Sequence, residues 1–91
     1  GSSGSYAEIT NLTTTAQTFT APAGALGFVL ETDSSNVQNV RYMIGGTATI
    51  SAGMKMEPGR DTGYIPCAAN ISVIAAAGTN QIVTVQWILK V

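Results

Sequence analysis

The chain contains no histidine, so its candidates for acid–base chemistry are five carboxylates. Histidine is the usual general base, proton shuttle and metal ligand, so its absence argues against most enzyme mechanisms. Two carboxylates can hydrolyse a glycosidic bond placed between them, and Glu57 and Asp61 lie close together in the sequence. They flank Pro58-Gly59, however, and a Pro-Gly pair is typical of a surface turn, where charged residues are common. We therefore predict no catalytic residue.

Metal binding and thiol chemistry are the next classes of site to consider. The segment Asp33-Ser34-Ser35-Asn36 offers oxygen atoms to Ca²⁺, but it lacks the regularly spaced carboxylates of a calcium loop. Asp and Asn in such a segment commonly hydrogen-bond to the local backbone instead. The single cysteine, Cys67, has no histidine to activate it, and we expect a small, half-buried residue. Since no cluster of Cys and His is present to hold zinc, the sequence predicts neither a metal nor a cofactor.

Aromatic side chains are the remaining candidates for a binding site, because aromatic rings on one face of a sheet can stack on sugar rings. Trp87 alternates with Val83, Val85 and Leu89, which is typical of the buried face of a strand. We therefore predict that Trp87 lies in the core. The candidates for an exposed binding platform are Tyr6, Tyr42 and Tyr64.

The composition of the chain is poor in charge. Only nine of the 91 residues are charged, whereas about 25% is usual for a soluble domain. The net charge is −1, and the four cations are scattered without forming a basic stripe, which argues against nucleic-acid binding. The longest apolar run, at residues 74–77, is too short to span a membrane. A surface of uncharged polar residues does not repel copies of itself and is suited to packing against other proteins.

The length of the chain allows one small domain. Residues 1–5 have the composition of an expression-tag remnant, and we assign residues 6–91 to a single β-sandwich domain. At this length folding buries roughly 60% of the surface of the unfolded chain, which leaves little margin of stability. One cysteine cannot form an intrachain disulfide, so association of copies is the remaining way to add stability. We therefore predict a homo-oligomer.

Alternating apolar residues and closely spaced turn signals predict strands through most of the chain. The clearest alternation runs through Val83, Val85, Trp87 and Leu89 to Val91. Further strands are predicted at residues 26–32, 40–44, 47–50, 64–65 and 70–76.

Two hairpins are predicted from the turns between these strands. One joins residues 6–10 to 17–20, and the other turns at Gly78-Thr79-Asn80. The Ala-rich stretches lack helical periodicity. The sequence thus predicts an all-β protein, a compact antiparallel β-sandwich or jelly roll of about eight short strands.

Three sequence patterns occur in a recognisable order between residues 39 and 87. The first is a strand end, R-Y-x-I-G-G, within residues 39–46, and the second is a turn, G-x-x-x-E-P-G, that ends at Gly59. The third is a pair of closing strands, I-S-V-I starting at Ile71 and V-x-V-x-W ending at Trp87. In these patterns the chain resembles small virion structural proteins of tailed bacteriophages. The patterns describe turns and strands, so no functional residue is transferred from the resemblance.

The resemblance implies a structural role in a virion. The expected function is that of a non-enzymatic capsid decoration or cement protein, or of a minor tail-associated protein, made in the cytoplasm of a bacterial host. The expected partners are copies of the chain itself, in a homotrimer, and other virion proteins such as the major capsid protein. The alternative is a small carbohydrate-binding or adhesion module that binds a glycan through Tyr6, Tyr42 and Tyr64. Neither reading involves nucleic acid or a membrane.

Overall fold

The computed structural model describes residues 3–90 and contains seven strands and no helix in that range. The strands are Ser3–Leu12 (β1), Gln17–Phe19 (β2), Ala25–Thr32 (β3), Val40–Ile44 (β4), Met54–Met56 (β5), Ile71–Ala75 (β6) and Gln81–Leu89 (β7). They form two antiparallel sheets, one of three strands in the order β1-β7-β3 and one of four in the order β2-β6-β4-β5. The predicted all-β fold and the small β-sandwich are confirmed.

The central strand β7 carries the predicted alternation. Val83, Val85 and Trp87 are buried, and the Trp87 ring lies 5.3 Å from the ring of Phe28 at an interplanar angle of 59°. Tilted aromatic pairs of this kind add to the energy of burial. The prediction that Trp87 lies in the core is therefore confirmed, while the predicted continuation to Val91 falls outside the described residues.

Both predicted hairpins are wrong. β1 pairs with β7, whereas β2 pairs with β6 in the other sheet, so the turn between β1 and β2 crosses from one sheet to the other. The turn at Gly78-Thr79-Asn80 likewise connects β6 of the four-stranded sheet to β7 of the three-stranded sheet. Gly78 and Asn80 do have positive φ, of 75° and 58°, as a tight turn requires. Turn chemistry thus located the reversal of the chain but did not determine which strands pair.

Two of the predicted short strands are isolated bridges, and one strand that was not predicted, β5, is present, so seven strands form instead of about eight. Thr49 pairs with Ala52 inside one loop, and Ile65 pairs with Phe28 along the outer edge of β3. Residues 59–65 follow that edge, and the Phe28 and Ile65 backbones exchange hydrogen bonds of 2.9 and 2.8 Å. The irregular segment therefore protects β3, which would otherwise be an exposed edge strand.

The outer face of the four-stranded sheet is covered by the loop 45–53. Ser72 and Ile74 point to this face and are nevertheless buried. The Ser72 hydroxyl accepts a hydrogen bond of 2.9 Å from the Ala48 N–H, and the Arg41 side chain donates to the carbonyl groups of Ile50 and Gly53. The loop therefore acts as a cover over a second, smaller apolar layer.

The first strand includes part of the segment assigned to a tag remnant. Ser3, Gly4 and Ser5 pair with Leu89, Ile88 and Trp87, respectively. Any extended segment beside β7 can form such backbone hydrogen bonds, so the origin of residues 1–5 stays a prediction. Within residues 3–90 no helix has the length and hydrophobicity needed to cross a membrane.

Candidate functional site

The outer face of the three-stranded sheet carries two rows of side chains that lie side by side. The first row crosses the sheet through Tyr6, Gln86 and Val29 and ends at Tyr64, which precedes the bridge residue Ile65. The second row runs through Glu8, Thr84, Glu31 and Asp61. We call these eight residues the tyrosine face.

The two tyrosines of this face are exposed but held in place. Tyr6 is 66% exposed, and its hydroxyl donates a hydrogen bond of 3.3 Å to the carboxylate of Glu8. Tyr64 is 53% exposed and packs over Gly27, where a Cβ atom would lie 2.5 Å from the Ile65 carbonyl oxygen. A glycine is therefore required at position 27, because any other residue would displace the segment that carries Tyr64.

A shallow cavity of about 180 Å³ lies between the two rows. Its lining residues are Tyr6, Val29, Glu31, Thr84 and Gln86. Glu8 accepts a second hydrogen bond, of 3.2 Å, from the Thr84 hydroxyl, so one carboxylate connects β1 to β7 and fixes Tyr6. The cavity presents aromatic, amide, hydroxyl and carboxylate groups to solvent.

Tyr42, the third tyrosine predicted for a sugar platform, lies on the other sheet. It points inward from β4, packs partly against the core and is paired with Met54 of β5. The structure thus brings together two of the three predicted residues, Tyr6 and Tyr64, and separates Tyr42 from them.

Tyr42 and Met54 belong instead to a notch beside β5. The notch has a volume of about 330 Å³ and is lined by Tyr42, Met54, Lys55, Met56, Glu57, Arg60, Asp61 and Thr62, which we call the β5 notch. Four of the nine charged residues of the chain are in this set. Among residues 3–90, no hydrogen bond involves the side chain of Lys55, Glu57 or Arg60, and the Asp61 carboxylate accepts one from the Gly63 N–H at 2.8 Å.

An apolar hollow continues from the β5 notch along the ends of β4 and β5. It measures about 500 Å³ and is lined by Tyr42, Met43, Ile44, Gly53 and Met54. Met54 is 63% exposed, which is high for a methionine at the edge of a core. Exposed apolar residues beside unpaired charges are typical of surfaces that contact other proteins.

The outer strands of the four-stranded sheet, β2 and β5, are each three residues long. In an antiparallel ladder, residue pairs that exchange backbone hydrogen bonds alternate with pairs that do not. The hydrogen bond from the Gly45 N–H to the Asn70 carbonyl (2.9 Å) identifies the hydrogen-bonded pairs of β4 and β6, and the strand registers extend the same alternation to β5 and β2. The backbone N–H and C=O of Lys55 on β5 and of Thr18 on β2 therefore face away from the sheet. Each of these two strands therefore has one residue whose backbone N–H and C=O can pair with another strand.

The segment Asp33-Ser34-Ser35-Asn36 makes local hydrogen bonds, as predicted. The hydroxyl of Ser35, and then its backbone N–H at 2.9 Å, donate to the Asp33 carboxylate and lower the pKa of Asp33 below its ordinary value. Asn36 is buried, and its side-chain amide exchanges hydrogen bonds of 2.9 and 2.7 Å with the backbone of Ile82. The segment is thus a loop anchored to β7.

Within residues 3–90 no group of three or more acidic, cysteine or histidine side chains is close enough to hold a metal ion. Cys67 is half-buried and packs against the core, as expected. Glu57 and Asp61 both line the β5 notch, where Arg60 lies between them in sequence.

Sequence reasoning missed Gln86, Thr84 and Glu8 as members of the tyrosine face. Thr84 and Gln86 were recognisable as the polar side of β7 in the sequence. Their position beside Tyr6, however, depends on the pairing of β1 with β7, two strands that are separated by most of the chain. A long-range pairing of this kind leaves no local signal.

Comparison with known proteins adds no family to this picture. No family model, no curated protein and no solved structure matches the chain.

Proposed function

We propose that this chain is a non-enzymatic structural protein of a bacteriophage virion, a capsid decoration or cement protein that self-associates and binds other virion proteins. The observation that carries the proposal is the β5 notch, where charges of both signs gather beside exposed apolar residues at an unpaired strand edge. Exposed apolar residues at an unpaired strand edge, with charged residues at the rim, fit a contact with another protein.

The notch carries the chemistry expected of a contact with another protein. It presents Lys55 and Arg60 together with Glu57 and Asp61, so it is complementary in charge to a partner surface that carries both signs in the opposite arrangement. Charged side chains at the rim of an interface select the partner and the register, while apolar groups such as Met54 supply most of the energy.

The two free strand edges support a trimer. β2 and β5 lie at opposite edges of the same sheet and are equal in length, so pairing β5 of one copy with β2 of the next is a head-to-tail contact. Contacts of this type close into rings when the rotation between copies allows it, and three copies form the ring implied by the resemblance. In such a contact the outward backbone groups of Lys55 and Thr18 form a hydrogen-bonded pair.

The first test is the mass of the protein in solution, measured by light scattering after size exclusion. Three times the chain mass supports the proposal. Lys55→Pro and Thr18→Pro each remove the outward N–H without breaking the ladder inside the sheet, because proline is tolerated at edges whose N–H faces solvent. Both variants should be folded monomers.

The matched control is Lys55→Thr, which removes the charge but keeps the backbone N–H. It should still form trimers, because the backbone N–H that pairs with β2 is kept. A monomeric wild type at high concentration contradicts self-association. A trimer that survives both proline variants contradicts the β5–β2 contact and directs the search for the interface to another surface.

A further inference from the structure

We propose that the tyrosine face is a binding site for a neutral glycan. The site is the outer face of the three-stranded sheet and shares only Asp61 with the β5 notch, so it does not rest on the proposed self-association. It amounts to a second function, attachment to a carbohydrate.

The first argument is the placement of the aromatic rings. The backbones of Tyr6 and Tyr64 stand at the two ends of one row, three strand spacings or about 14 Å apart across the sheet, and the Tyr64 ring lies over Gly27, which is beside that row. Between them lie Gln86 and Val29, which line the shallow cavity. Two exposed rings on either side of a shallow cavity can stack on the C–H faces of separate sugar units in one chain.

The second argument is the row of hydrogen-bonding groups beside the rings. Glu8, Thr84 and Glu31 lie one row away, and together with Gln86 they offer carboxylate, hydroxyl and amide groups to sugar hydroxyls. A stacked ring with polar groups at its rim is the combination that sugars require, since each sugar unit has an apolar face and a polar edge.

The third argument is charge, which selects the class of glycan. The second row contains Glu8, Glu31 and Asp61, and neither row contains Lys or Arg. Repulsion from these carboxylates disfavours sulfated or acidic polysaccharides, so the site fits an uncharged glycan.

The fourth argument is that both rings are held before a ligand arrives. Tyr6 is fixed by its hydrogen bond to Glu8, which also binds Thr84, and Tyr64 is seated over Gly27. A ring that is already ordered loses less side-chain entropy on binding, which increases affinity.

The test is titration of ¹⁵N-labelled full-length chain with cellohexaose, maltohexaose, mannohexaose and N-acetylchitohexaose, with heparin as an anionic probe. We expect at least one neutral hexasaccharide to shift the amide signals of Tyr6, Gln86 and Tyr64. Tyr6→Ala and Tyr64→Ala should each weaken that binding about tenfold. Tyr6→Phe keeps the ring but loses the hydroxyl that orders it, so its affinity should fall between those of the wild type and Tyr6→Ala.

The matched control is Ile50→Ala, which removes a similarly exposed apolar side chain (55%) from the loop over the four-stranded sheet and should leave sugar binding unchanged. Folding of every variant is checked by its amide spectrum. The proposal is overturned if no neutral hexasaccharide shifts these signals at millimolar concentration, if heparin alone binds, or if binding is unaffected by Tyr6→Ala and Tyr64→Ala. Because the mass measurement tests the β5 and β2 edges and the titration tests Tyr6 and Tyr64, failure of one proposal is distinguishable from failure of the other.

Discussion

The hydroxyl of Thr32 anchors the turn at residues 57–60 to the end of β3. Thr32 is 1% exposed at the end of β3, where its hydroxyl donates to the Glu57 carbonyl at 2.7 Å and accepts from the Arg60 N–H at 3.1 Å. Thr32→Val preserves the shape but leaves two partners without a hydrogen bond. We expect it to lower the free energy of unfolding by about 1–3 kcal/mol, measured by urea denaturation.

The matched control for that prediction is Thr84→Val, the same substitution on the outer face of β7. Its hydroxyl donates to Glu8 at the surface, where water can replace it, so the loss should stay within about 0.5 kcal/mol. Equal effects of the two substitutions would contradict the role assigned to Thr32.

At the residue scale, the sequence predicted burial better than it predicted position on a surface. Trp87 was placed in the core because alternation along one strand depends only on neighbouring residues. The grouping of Tyr6, Tyr42 and Tyr64 depended on which sheet each residue joins, and Tyr42 joins the other sheet. Local pattern does not carry that information.

Among the elements, the loop 45–53 depends on one side chain for its position. Arg41 donates to the carbonyls of Ile50 at 3.2 Å and of Gly53 at 2.8 Å, and the loop covers Ile74, which is 4% exposed. Arg41→Met keeps an apolar stem but removes both donors. We expect a loss of about 1–3 kcal/mol and faster amide hydrogen exchange at Ala48 and Ala52.

Lys90→Met controls for the loss of a positive charge, because Lys90 is an exposed cation away from this loop. It should leave exchange in the loop unchanged. Unaltered protection of Ala48 and Ala52 in Arg41→Met would show that apolar contacts alone hold the loop.

The same scale shows why strands were predicted more reliably than their pairing. β3, β4, β6 and β7 coincide closely with predicted segments, because each contains a run of alternating or β-branched residues. Both hairpin predictions are wrong because, after a tight turn, the chain can return either to the same sheet or to the facing sheet. In a sandwich this small, the choice is made by burial of the whole inner face, which pairs β1 with β7 across most of the chain.

On the scale of the whole molecule, the two proposed surfaces share only Asp61, which lies beside β3 and also lines the β5 notch. The β5 notch is at the edge of the four-stranded sheet, and the tyrosine face is the outer surface of the three-stranded sheet. Copies that associate through β5 and β2 would leave the tyrosine faces unobstructed. A decoration protein built this way could bind the virion through one sheet and a glycan through the other.

Association through the sheet edges predicts that thermal stability depends on concentration. For a trimer that unfolds to separate chains, each tenfold rise in concentration adds about 0.9 kcal/mol per chain, which raises the Tm by about 4–8 °C. We expect this rise in calorimetric scans of the wild type across two decades of concentration. Lys55→Pro should show a lower Tm that does not vary with concentration, because its N–H no longer faces a neighbouring copy. A wild-type Tm independent of concentration would contradict coupling between folding and association, and the stability of the domain would then rest on the core around Trp87 and Phe28 alone.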